Sequence, residues 1–207
     1  MPYTDVAMND NTSTSLQTSA ARLISLIFQP MLTATYLLLV VSVIATDSMR
    51  EAAFWGFLAV TVSTGGPALD LRRRVRSGGI TDFSIALREQ RLGPLLVAEG
   101  FTALALGLLL ALGGPQELAT TLLVGLVSGG LLTAITTKWK ISFHSGSLAG
   151  ALTILIWFLG GWALLLIPAL PAVGWSRVHM KKHTVTQVLA GAVAATALAA
   201  VVLGTLQ

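Results

Sequence analysis

Residues 141–176 read ISFHSGSLAGALTILIWFLGGWALLLIPALPAVGWS, a run without a single Asp, Glu, Lys or Arg. An unbroken helix of that length would be about 54 Å long. That is too long for one crossing of roughly 30 Å of hydrocarbon without extreme tilt. Gly160-Gly161 divides the run, so it predicts two membrane helices, the second kinked at Pro168 and Pro171. The pattern extends along the chain in both directions. Residues 23–46 are free of charge, and 52–69, 94–115, 118–137 and 184–206 are further apolar runs. Only 94–115 holds a carboxylate, Glu99. Gly65-Gly66-Pro67 should break the second run late. Asp70–Gly93 should be a solvated loop followed, over Ile80–Arg91, by a short surface helix. Residues 1–20 are polar, with no basic segment leading at once into an apolar core. They predict a short mobile tail and not a cleaved signal peptide. The fold class expected is therefore all-α: a polytopic transmembrane bundle of about six to seven spans, one domain over residues 21–207.

Composition limits the function classes. Of 207 residues, 54% are hydrophobic and 11% are charged, whereas soluble domains carry roughly 25% charged residues. Disorder, an ordinary nucleic-acid module and a water-soluble enzyme are excluded. There is no cysteine, so no disulfide framework, thiolate metal site or cysteine nucleophile exists. No internal repeat is evident, which argues against an inverted-repeat transporter. With seven spans, twelve of the thirteen basic residues fall on one side of the membrane and only Arg50 on the other. The positive-inside rule places that face in the cytoplasm, and the expected location is the inner membrane of a prokaryote. Anionic lipid is the simplest partner for the Arg72–Arg76 cluster.

Three polar segments meet on the basic face. The last is Ser176-Arg177-Val178-His179-Met180-Lys181-Lys182-His183-Thr184-Val185-Thr186-Gln187. The middle one is Lys140-Ile141-Ser142-Phe143-His144-Ser145-Gly146-Ser147, where a span begins. The first runs from Asp82 through Arg88-Glu89-Gln90-Arg91-Leu92-Gly93-Pro94. Two histidines among cations at the water–lipid boundary suit a phosphate carried by a lipid, because Arg and Lys supply the positive charge such chemistry needs. Metal is hard to place there, since carboxylates are few near the histidines. His179 precedes His183 by four residues, but no third ligand has suitable spacing.

These segments resemble the three signatures of the type 2 phosphatidic acid phosphatase superfamily, membrane lipid phosphatases related to vanadium haloperoxidases. The family pattern is Lys, six residues, Arg-Pro; then Pro-Ser-Gly-His; then Ser-Arg, five residues, His, three residues, Asp. Ser176-Arg177, His183 and Gln187 match the third signature in spacing and in all but its last residue. Ser142 and His144 match the second at Ser and His only. Arg91 with Pro94 matches the first loosely, and Ser84 stands where its Lys would be. The resemblance covers roughly residues 82–190.

The resemblance implies a lipid phosphate or diphosphate substrate, of prenyl or glycerolipid type, and no cofactor. It implies that His183 is the nucleophile and forms a phosphohistidine. His144 would protonate the leaving alkoxide and later activate water. Arg177 and Arg91, with Arg88, Ser142 and Lys140, would hold the phosphate oxygens. Lys140 would stand in for the missing Lys. The family's Asp, which orients the nucleophilic His, is Gln187 here. A Gln carbonyl can accept the imidazole N–H but brings no charge, so Asp82 and Glu89 are further candidates for that role. Two rivals follow: a catalytically degenerate protein that only binds lipid phosphate, and a small transporter.

Overall fold

The computed structural model describes residues 5–81 and 87–206 and, of these, the side chains of all but 5–14 and 88. In chain order the elements are α1 (Asp5–Ile27), α2 (Pro30–Ile44), α3 (Met49–Val60), a π-helix (Thr61–Gly65), α4 (Gly66–Arg76), a 3-10 turn (Arg88–Gln90), α5 (Leu92–Ala111), α6 (Gln116–Thr136), α7 (Phe143–Leu159), a 3-10 stretch (Gly160–Leu166), α8 (Ala169–His179) and α9 (Val185–Thr205). Five helical stretches are each long and apolar enough to cross a membrane: Met49–Arg76, Leu92–Ala111, Gln116–Thr136, Phe143–Leu166 and Val185–Thr205. Ser15–Ile27 and Pro30–Ile44, bent by 50° at their junction, form a sixth if taken together. The protein is a polytopic helical membrane bundle.

Four expectations change. Helix α1 begins at Asp5, inside the stretch read as a tail, and its later turns pack along α8; Thr18 Oγ1 lies 3.4 Å from His179 Nε2. Residues 1–4 lie outside the described residues. Gly65-Gly66-Pro67 does not end the second span. Pro67 sits in the first turn of α4, where its missing N–H costs nothing, and the preceding turn widens into the π-helix. Arg72–Arg76 therefore ride on a helix and not on a loop. Over Ile80–Arg91 the described part holds one 3-10 turn in place of a surface helix. Finally, α7 continues past Leu159 as 3-10 helix, and α8 has only eleven residues, about 16 Å, too few for a crossing of its own. Gly160 makes the junction with φ 61°, a conformation that favours glycine.

The termini of these helices follow from sequence. Pro30 occupies the first turn of α2, Ser48 caps α3 by accepting from Glu51 N–H, and Thr184 with Gln187 forms a capping box at α9. Gly113, at φ 70°, turns α5 into α6. Helices α3–α4 and α5 run antiparallel: Trp55 meets Gly114 at one end and Arg74 meets Gly93 at the other. Helices α7 and α9 run parallel, with Gly146 against Gly191 and Gly150 against Ala195. Lipid tails are as apolar as Leu, so small residues that admit close backbone approach stabilise such a pair. The packing glycines are these, and not Gly130, Gly160 or Gly161, where an added Cβ would meet nothing within 4 Å. The parallel pair puts the starts of α7 and α9 and the end of α8 at one end of the bundle.

Candidate active site

The spacing of Ser176-Arg177 and His183 has a local cause. Helix α8 ends at His179, and Lys181 takes the left-handed conformation at φ 54°. The chain reverses there. The N–H groups of Lys182 and His183 both donate to the Arg177 carbonyl, at 3.0 and 3.2 Å. Thr184 then caps α9. Arg177 and His183 are thus joined by one helix end, whatever the rest of the protein does.

His183 is buried, with 7% exposure. Its Nδ1 lies 3.3 Å from Lys140 O and 3.3 Å from Gln187 Oε1. Gln187 Oε1 also accepts from Thr184 N–H at 3.1 Å, which identifies that atom as the amide oxygen. Both groups facing Nδ1 are therefore acceptors. Nδ1 carries the proton, and Nε2 keeps its lone pair. Burial, then Arg177, Arg91 and Lys140, push the His183 pKa down to about 4, so the ring is neutral at pH 7. The charged groups acting on His183 are cations.

Ser142 is fully buried. In place of the phosphate contact expected of it, its hydroxyl caps α7 by accepting from Ser145 N–H at 3.4 Å. Its own N–H donates to Gln187 O at 3.2 Å, which fastens α7 to α9. His144, two residues on, is half-buried. Arg177, His183 and Arg91 lie within electrostatic reach of it, and the Ser25 backbone lies within hydrogen-bonding reach of its ring.

Arg177 is 4% exposed and Arg91 7%. Arg177 Nη1 donates to Ser25 Oγ at 2.6 Å. Arg177 Nε is buried and has no hydrogen-bond partner among the described residues. The charge that acts on Arg177 is Arg91, another cation. Lys140 is half-buried; burial, then Arg91, Lys182 and Arg177, lower its pKa, while Glu89 raises it.

The structure thus brings together His183, His144, Arg177, Arg91, Lys140 and Gln187 from all three polar segments. Glu89 is exposed and acts on Lys140, not on His183, so the orienting contact to His183 comes from Gln187. Asp82 and the Arg88 side chain lie outside the described residues. His179 faces away, stacked on Trp175 with ring centroids 5.1 Å apart. No group of three or more His, Cys, Asp or Glu is gathered among the described residues. Sequence reasoning missed Ser25. It sits in a charge-free run with no motif around it, and only the packing of α1 on α8 brings it to Arg177.

No protein-family model, characterised protein or solved structure matches this chain.

Proposed function

We propose that the protein hydrolyses a lipid phosphate or diphosphate at this end of the bundle, through a phosphohistidine. The observation that carries the reading is the pair of buried guanidiniums, Arg177 and Arg91, which act on each other beside two histidines. Burying like charges together is costly unless an anion joins them. A phosphate offers the oxygens that guanidiniums bind best. The unpartnered Arg177 Nε supplies one such donor.

In this reading the lone pair of His183 Nε2 attacks phosphorus. An N–P bond forms, the P–O bond to the lipid breaks, and the leaving oxygen takes a proton from His144. Water then attacks the phosphohistidine, giving His144 a proton and releasing phosphate and free His183. Nδ1–H, held by Gln187 and Lys140 O, fixes the ring and keeps Nε2 unprotonated. Arg177, Arg91 and Lys140 stabilise the charge that gathers on the phosphoryl oxygens. The basic face lies in the cytoplasm and the lipid chain between helices.

The test is inorganic phosphate release by the purified protein in detergent with EDTA present. The panel is phosphatidic acid, phosphatidylglycerol phosphate, and prenyl mono- and diphosphates. Release that survives EDTA is expected, reduced about 10³-fold or more by His183→Ala and about 10²- to 10⁴-fold by His144→Ala. One observation favours a second reading, a lipid-phosphate binder: Gln187 orients His183 without a charge to support the phosphoryl-imidazolium. Folded protein that binds these lipids and releases nothing would establish that reading in place of the first.

A further inference from the structure

A second polar site lies inside the bundle. Helices α2, α5, α6 and α7, with the π-helix, enclose a cavity of about 190 Å³. An apolar cavity of about 150 Å³ is enough to take benzene. The walls here are mostly aliphatic, but hydroxyls stud them. Those of Ser63, Thr64, Thr102, Thr121 and Ser147 each donate to a carbonyl of their own helix. What they offer the cavity is a lone pair. Thr33 Oγ1 and Ser128 Oγ, in residues 5% and 7% exposed, also line it and have no hydrogen-bond partner among the described residues.

Glu99 stands one turn before Thr102 on the same face of α5. Its carboxylate presses on Gly129 of the cavity wall, where any Cβ would collide with it. Among the described residues it makes no hydrogen bond or ion pair, and no charged group acts on it. A carboxylate inside a membrane span is costly and marks a functional position. The backbone is also irregular on two sides of the cavity. Thr33 lies in the first turn of α2, just after the 50° bend, and Ser63 and Thr64 belong to the π-helix. Interrupted helices are where membrane proteins build ligand sites near mid-depth.

We infer that this cavity binds a small organic ammonium ion, its apolar body against the aliphatic wall and its N–H groups turned to Glu99 and the hydroxyls. The acceptor-rich lining selects a donor, the carboxylate selects a cation, and the volume selects an organic ligand over a bare ion. The site is separate from the histidines and does not depend on their chemistry.

The test uses full-length protein in lipid nanodiscs at neutral pH, with benzylammonium as probe. Saturable calorimetric binding and a rise in Tm are expected for benzylammonium, and neither for benzyl alcohol nor for sodium chloride. Glu99→Gln should weaken binding about tenfold or more, because a charged hydrogen bond is lost. Thr33→Val and Ser128→Ala, which keep or nearly keep the shape, should each weaken it about two- to tenfold. His183→Ala should leave it unchanged. Equal stabilisation by benzyl alcohol, full binding by Glu99→Gln, saturable binding of sodium alone, or no saturable binding of benzylammonium would each overturn the proposal.

Discussion

At the residue scale, His183 is a buried base beside three cations, and its protonation is the main electrostatic event at this end of the bundle. Its pKa is pushed from the ordinary 6.5 to about 4. Between those values the unfolded chain binds the proton more tightly than the folded one, so stability rises with pH across that window. The contribution is fully present above pH 6.5 and is lost as pH falls toward 4. Thermal unfolding followed from pH 7.5 to 4 should show Tm falling through that range, and less steeply in His183→Gln. Phosphate bound at Arg177 should lift the midpoint, since an anion favours the imidazolium. Gln187→Glu should lift it too, while keeping the acceptor that Thr184 N–H needs. Ring NMR of His183 in that variant checks it: a midpoint that stays near 4 would mean that residue 187 does not govern the ring. The third-signature spacing made His183, Arg177 and Gln187 legible in the sequence, because one helix end and one cap set their relation locally. Ser25 was not legible, because its role exists only through contact between elements far apart in the chain.

At the element scale, the parallel contact of α7 with α9 holds the site together. A Cβ on Gly191 would run into the Ser142 carbonyl and come within 3.0 Å of Ser145 Oγ. Ser142 carries the cap of α7, and Ser145 Oγ donates to Val188 O at 2.9 Å. Gly191→Ala should therefore cost about 1–3 kcal/mol, the usual penalty for overpacking, and should move His144 relative to His183. Denaturation of the reconstituted variant measures the first effect, and loss of phosphate-lipid binding or turnover the second. Gly204→Ala, at a position with open space around it, is the control and should be near neutral. The 3.6-residue periodicity that marks soluble helices is nearly absent here, since the spans are apolar on every side. Which face of α7 meets α9 was therefore hidden in the sequence. Shape complementarity of small residues chose it, and that depends on both partners at once.

At the scale of the whole molecule, one end of the bundle is basic and the other nearly balanced. The antiparallel run of α3–α4 against α5 puts Asp47, Arg50 and Glu51 at the end opposite Arg74. A chain with no cysteine allows a direct test of sidedness. Asp47→Cys and Ser77→Cys each place one thiol at an exposed position on opposite ends. In intact cells an impermeant thiol reagent should label Asp47→Cys and spare Ser77→Cys; the reverse pattern would place the histidine end outside. Composition and charge-free runs alone determined the membrane class, the approximate positions of most spans and the clustering of cations on one face. These properties are sums over local residues, and the bilayer acts on them without regard to tertiary detail. Only the tertiary structure decided that Gly65-Gly66-Pro67 bends into a π-helix within one long span, that residues 160–179 return as a 3-10 stretch and a short helix, and that Glu99 turns toward a hydroxyl-lined cavity. In each case a backbone or side chain with several local options was fixed by a neighbour distant in sequence, such as Gly129 making room for Glu99.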